Sequence, residues 1–244
     1  MNKSRIIASA LIGLAIVLSC YRLADSWNKT HYSHQTLAVT GLGTKDFTSD
    51  LIVWRANYLR SAGTLAEANR LMKADHEVVE KFLLEHKITA AEISFSSVRV
   101  SRNYKTLYNQ QGNVSGNVFD GYSLSQTVIV ESKNIEHVEK MSSDISNLIE
   151  QGVECIAMEP DFYFTKLKDL KIELLKQATG DALERAQTIA GNAKSRLGNL
   201  KNANMGIFQI TGQNSNEDYS WGGSFNTKAK NKSASITVKL EFDL

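Results

Sequence analysis

The sequence predicts an α+β protein: an N-terminal transmembrane or signal-anchor helix, then two strand–helix–strand blocks with a long third helix on antiparallel sheet. Three observations carry this reading. An uncharged apolar run follows Lys3 and Arg5. Downstream, hydrophobic periods of two and of 3.6 residues alternate along the chain. The last ten residues alternate cleanly between apolar and polar side chains, as a half-buried strand does. The composition fits, because 42% hydrophobic and 22% charged residues supply an ordinary globular core. The net charge of +2, with Lys and Arg interspersed among Asp and Glu, gives no basic stripe for a nucleic-acid backbone.

The apolar run from Ile6 to Tyr21 gives ~24 Å of helix at ~1.5 Å per residue. That is short of a ~30 Å hydrocarbon core, but a snorkelling Arg22 lets Leu23 and Ala24 extend it. An uncleaved signal anchor over residues 1–24 is therefore the first expectation. It carries the rest of the chain to the extracytoplasmic (periplasmic) side of the inner membrane. A lipoprotein is the second, because Val17-Leu18-Ser19-Cys20 is similar to a lipobox and would place the lipid on Cys20. Ordinary signal-peptide cleavage is the third. Residues 25–36 read as a polar tether in which Trp27 and Tyr32 suit a membrane interface. His31 and His34 lack further ligands at metal-site spacing and read as solvated linker.

The folded part spans residues 37–244. Leu37 to Gly41 alternates and is read as a first strand stopping at Gly41-Leu42-Gly43. Ile52, Trp54, Ala56 and Tyr58 share one face of a second strand. Thr64 and Glu67 form the pattern of a capping box, and a helix is expected from there to about His86. Ile93–Ser101 reads as a strand, and the Gly/Asn-rich residues 103–117 as a hairpin loop. Phe119–Glu131 returns as a strand. A helix follows, capped by Asn134, with Ile135, Val138, Met141, Ile145 and Leu148 on one stripe and Gly152 as its stop. Val153–Phe164 is a strand that Pro160 forces to an edge or a bulge. A long helix is expected from Leu167 to Leu197, ended by Gly198. Met205–Thr211 is a strand, 212–232 a polar loop, and Ser235–Phe242 the closing strand with Ile236, Val238, Leu240 and Phe242 facing inward.

Sites of chemistry are scarce. No nucleophile elbow, phosphate-binding loop, zinc-protease motif or Cys-x-x-Cys occurs, so no catalytic, cofactor-binding or metal-binding residue is assigned. Gly41 and Gly43 lack the third glycine and following helix of a dinucleotide site. Cys155 reads as a small buried hydrophobe. Asp75-His76-Glu77 reads as solvated helix surface, His86 and His137 as helix surface or helix end, and Glu217-Asp218 as a loop feature. The aromatics Tyr219, Trp221 and Phe225 stand out in a polar loop. Either they fold back on the core, or they form a contact surface for a partner subunit or the membrane.

Four segments together resemble the SIMPL domain family. They are Val39-Thr40-Gly41-Leu42-Gly43, Gly121-Tyr122-Ser123-Leu124-Ser125-Gln126-Thr127-Val128, the helical Asp181-Ala182-Leu183-Glu184-Arg185-Ala186-Gln187-Thr188-Ile189-Ala190, and the closing Ala234-Ser235-Ile236-Thr237-Val238-Lys239-Leu240. The likeness covers roughly residues 36–244, and the apolar N-terminus is similar to the membrane-anchored bacterial branch. The resemblance implies an envelope protein, some of whose relatives are associated with oxidative-stress tolerance, and it implies oligomeric assembly. It supplies no catalytic residues and no cofactor. The expected function is a non-enzymatic, self-assembling scaffold of the cell envelope, a homo-oligomer held to the membrane by its N-terminal segment. The alternative is a tethered binding module for a small apolar ligand or envelope partner.

Overall fold

The computed structural model describes residues 13–24, 26 and 35–244. Residues 13–24 are helical and exposed, with Leu14, Ile16, Val17, Leu18 and Leu23 all open to solvent. Among the described residues no helix is long and apolar enough to cross a membrane. The first half of the expected anchor and most of the tether, including His31, Tyr32, His34 and Trp27, lie outside the described residues.

The elements run in the order β1 (Thr36–Thr48), β2 (Leu51–Ala62), α1 (Leu65–Glu85), β3 (Ile93–Phe95), β4 (Arg99–Tyr108), β5 (Val114–Ser132), α2 (Ile135–Ser143), α3 (Ser146–Glu150), β6 (Cys155–Ala157), β7 (Asp161–Tyr163), α4 (Leu167–Asn192), β8 (Leu200–Met205), β9 (Gln209–Gly212) and β10 (Asn231–Asp243). This is the expected α+β class with antiparallel sheet. The chain divides into two compact units. One comprises residues up to Leu42 with Ala178–Gly206 and Thr237–Leu244. The other comprises Gly43–Gln177 and Ile207–Ile236.

The larger unit is organised on a six-stranded sheet. β2 and β5 pair antiparallel from Ile52↔Ser132 to Ala62↔Tyr122. The free edge of β2 takes β6 and β7, and the free edge of β5 takes β3 and β4, all antiparallel. Alternation along β2 turns Ile52, Trp54, Ala56 and Tyr58 to the core, where Leu124, Val128 and Val130 of β5 join them. Helix α1 covers this face with Ala68, Met72, Val79, Phe82 and Leu83, and α2 and α3 add Val138, Met141 and Leu148. Thr64 caps α1 as expected, its hydroxyl accepting from the Glu67 amide at 3.3 Å. The Glu67 carboxylate, however, turns to Arg70 instead of returning to the cap. A reciprocal cap forms instead at Thr89, whose amide and hydroxyl both donate to Glu92.

In the smaller unit, the end of β10 pairs antiparallel with β8 from Val238↔Met205 to Phe242↔Leu200. Val238, Leu240 and Phe242 face inward and Thr237 and Lys239 outward, as their alternation requires. Ala178, Ala182, Ala186 and Ala190 of α4 are buried at four-residue spacing, one stripe of a helix. Small side chains there allow backbone to approach closely.

Several boundaries depart from the sequence reading, each for a physical reason. β1 does not stop at Gly41-Leu42-Gly43. A Cβ on Gly41 would lie 2.1 Å from the Ala178 carbonyl oxygen and 2.7 Å from the Ala182 Cβ. Gly41 is thus a close-approach glycine within a strand. The Leu42 amide beside it donates to Asp181 at 2.8 Å, which holds the two backbones together. Residues 103–117 are not a loop. β4 and β5 continue as an exposed hairpin, and only 109–113 turn, closed by the Asn109 side chain accepting from the amides of Gln111 and Asn113. The strand expected over Val153–Phe164 is split at Pro160 into β6 and β7. Helix α4 ends at Asn192, six residues before Gly198, which instead packs against Asp243. Of Asp75-His76-Glu77, Glu77 is exposed as expected, but His76 is half-buried and Asp75 is buried. Asp75 is 4% exposed and receives a bidentate pair from Arg60, at 2.5 Å from Nε and 2.7 Å from Nη2. His76 lies 4.0 Å from the Phe95 ring and 3.2 Å from the Tyr58 hydroxyl.

The close approach at Gly41 has a direct test. Gly41→Ala forces helix and strand apart and is expected to destabilise by ~1–3 kcal/mol. Chemical denaturation reads this as a lower midpoint at unchanged slope.

Candidate interaction surface

Beyond Ala62 the strand β2 ends, but β5 runs on. From Phe119 back to Val114 it pairs with β4 alone. Gly121 marks the departure. Its φ is +93°, and a Cβ there would fall 2.4 Å from the Ala62 carbonyl oxygen, so the turn-away and the close approach both require glycine. Among the described residues the ribbon past this point pairs with no third strand. Its Tyr104, Leu107, Tyr108, Val114, Val118 and Phe119 are all exposed. Tyr104 and Phe119 are directly paired across the strands, with ring centroids 6.1 Å apart edge to face, and Tyr122 continues the row at 5.2 Å from Phe119. A two-stranded ribbon is at best marginal in water, and an exposed edge with apolar side chains is a template for pairing.

A second apolar projection is the loop Gln213–Lys230. Tyr219, Trp221 and Phe225 do not fold back on the core. Trp221 is 97% exposed, and the other two are open as well. Polar anchors hold the loop from below and leave the aromatics outside. Gln209 accepts from the Ser224 amide at 2.8 Å and donates to the Ser220 carbonyl at 2.8 Å. Phe225 forms an isolated parallel bridge with Ile210. Thr227 bonds Asp161 at 3.1 Å, and Asp161 also takes Lys228 and Arg55, each at 2.9 Å. These cations, Lys228 foremost, hold the Asp161 carboxyl below the usual carboxylate range.

Cys20 sits exposed on the helical segment 13–24. Cys155 is half-buried, and burial pushes its thiol up to about 11. It is therefore protonated at neutral pH, opposite to what a nucleophilic cysteine needs. His86 closes the end of α1, its ring against Phe82 and 3.3 Å from Asp144. His137 lies in the first turn of α2 beside its cap, Asn134.

The residue the sequence reading passed over is Lys232. With β10 beginning at Asn231, Lys232 falls on the same inward row as Ala234 and Ile236, and is 2% exposed. Its ammonium donates to the Asn226 carbonyl at 2.5 Å and so ties the aromatic loop to the strand. Burial drives its pKa down to about 8 against the partial support of Glu217 and Asp161. A folded value below the unfolded one means the unfolded chain binds more protons across that interval. Stability conferred at this position therefore rises as pH climbs from about 8 toward the ordinary lysine value. In denaturation series from pH 7 to 10.5, the wild-type chain should gain steadily on Lys232→Met. Parallel curves would show that the buried ammonium carries no such penalty.

No curated protein matches the chain. The family model of SIMPL, described as a protein of unknown function (DUF541), matches residues 37–242. That span reaches from β1 into β10, and the chain belongs to the SIMPL family.

Proposed function

We propose that this chain is a non-enzymatic envelope protein that assembles with copies of itself, tethered to the inner membrane through an uncleaved N-terminal segment. The observation that carries the reading is the ribbon β4–β5. It leaves the sheet with both faces wet and an aromatic row on display, and its edge strand has unpaired backbone groups. A second copy offering the same edge and the same aromatics would supply the missing strand and cover for the rings. The indole of Trp221, on a loop held by polar anchors, is a further contact of the type enriched at interface centres. Lys3 and Arg5 ahead of the apolar run support a cytoplasmic N-terminus with the domain outside. Among the family's suggested roles, a link to stress tolerance would follow from such a scaffold only indirectly.

Assembly is read from the mass of the full-length chain in detergent, by sedimentation with the detergent density-matched. A discrete oligomer is expected, and Tyr104→Ser with Phe119→Ser should shift it to monomer while the denaturation midpoint of the larger unit holds. A wild-type monomer at all concentrations would sink the scaffold and favour the tethered binding module for a small apolar ligand or envelope partner.

The tether is read separately. Membrane-extracted protein should have the intact mass of residues 1–244. A mass corresponding to a chain that begins at a lipid-modified Cys20 would replace the anchor by a lipoprotein.

A further inference from the structure

An open groove of about 730 Å3 in the larger unit is built from two helix starts. Lys133, Asn134, Ile135 and Glu136 lead into α2, and Thr165 and Lys166 lead into α4. The first amides of a helix have no intrahelical acceptor. The Asn134 side chain takes only the His137 amide, at 3.3 Å, which leaves those of Ile135 and Glu136. At α4 the Lys166 carbonyl accepts from Leu170 at 3.2 Å, so a lysine stands at the cap, where its side chain has no acceptor to offer.

The charges point the same way. A helix N-terminus carries partial positive charge, and cations beside it are unfavourable. Lys133 and Lys166 nevertheless stand at these two starts, and neither forms an ion pair among the described residues. The nearby acids do not answer them. Asp50 is occupied by the Thr165 amide at 2.6 Å and its hydroxyl at 2.7 Å, and Lys230 is paired with Glu139 at 2.7 Å. Glu136 offsets part of the charge from the first turn of α2.

An independent observation comes from the groove wall. Ser49 lines it, is 4% exposed, and has its amide bonded to the Lys230 carbonyl at 2.9 Å, yet its buried hydroxyl has no partner among the described residues. A buried hydroxyl left unpaired is costly, so one kept at a groove wall points to a partner that the described residues do not supply.

We propose that this groove binds a phosphate-class oxyanion. A hydroxyl, the two amides at the start of α2 and two lysine side chains line one groove, a donor set that suits a tetrahedral anion with several acceptor oxygens. The groove is far larger than inorganic phosphate, so the natural ligand is a phosphate ester with a substituent in the remaining space. The site is separate from the β4–β5 ribbon and does not depend on self-assembly.

The probe is inorganic phosphate titrated into the full-length chain, followed through the amide resonances of Ile135 and Glu136. Saturable shifts are expected. Lys133→Gln with Lys166→Gln should weaken binding about tenfold, and Ser49→Ala by a few-fold, whereas Lys168→Gln with Lys176→Gln, which removes equal charge from the exposed side of α4, should leave it unchanged. Reconstitution in nanodiscs separates two sources of the anion. If the same amides are already displaced in phosphatidylglycerol discs, and not in phosphatidylcholine discs, a lipid headgroup occupies the groove; if they move only on adding phosphate, the ligand is a soluble ester. Absence of saturable shifts under every condition, or equal weakening by the control pair, would overturn the site.

Discussion

The antiparallel ladder between β2 and β5 is the constraint on which the larger unit depends. It runs unbroken from Ile52↔Ser132 to Ala62↔Tyr122. Because side chains alternate, a slip of one residue would send Trp54 and Tyr58 to the outer face and bring Arg55 and Asn57 inside. The two faces are chemically opposite, which fixes the register. Inside are the apolar side chains under α1. Outside, Asn57 bonds Thr127 at 3.2 Å, Ser61 meets Ser123 at 2.6 Å, and Asn103 reaches Ser123 at 2.7 Å. Both remaining edges of the pair are then used, β6 and β7 on one and β3 and β4 on the other. Two charged or polar pairings sit at the border of this core without breaking it. Arg60 neutralises Asp75 in two-point geometry and also donates to the Gly152 carbonyl at 2.6 Å, so the partner of a buried carboxylate ties down the helix end as well.

The same ladder explains why the ribbon exists. β5 is longer than β2, and the surplus has nothing to lie against except β4. Gly121 releases it at a positive φ, and the aromatic row of Tyr104, Phe119 and Tyr122 begins at that point. Cross-strand aromatic pairs contribute ~0.2–1 kcal/mol each, enough to shape a ribbon and too little to compensate two wet faces. The ribbon is therefore the part of the molecule whose order benefits most from a partner.

What was legible in the sequence follows the strength of the periodic signal. β2, β10, α1 and α2 bury one face each, and their apolar spacing names most of the buried residues. Leu65 at the start of α1 is exposed, however, and the single helix expected from Ile135 through Leu148 breaks at Asp144 and Ile145 into α2 and α3, leaving Ile145 half-buried. Thr64 and Asn134 cap where their hydroxyl and amide chemistry predicts. The errors cluster where a residue's usual meaning was overridden by tertiary packing. Gly41 resembles a turn glycine and is a contact glycine. The polar residues 103–117 resemble a loop because a ribbon exposed on both faces has no hydrophobic alternation to show. Asp75 resembles a surface acid because its partner, Arg60, lies on a different element. Lys232 reads as the end of a polar loop because 212–232 is largely polar, yet its place two residues before Ala234 and four before Ile236 puts it on the inward row. The family resemblance was legible, with four weak motifs in the right order over residues that the family model spans.

The oxyanion groove could not be read from sequence because its donors come from three separate stretches of the chain and none forms a motif. Ser49 stands in the connection between β1 and β2, Lys133 before α2, and Lys166 before α4. Only the fold brings two helix starts to one place, and only then does the placing of their lysines become anomalous. A lone lysine near a helix start is an ordinary small penalty of a few tenths of a kcal/mol. Two at converging starts, beside a buried hydroxyl with no partner among the described residues, are penalties of the same sign that one bound anion relieves together. That common remedy is what separates the groove from the polar surface around it.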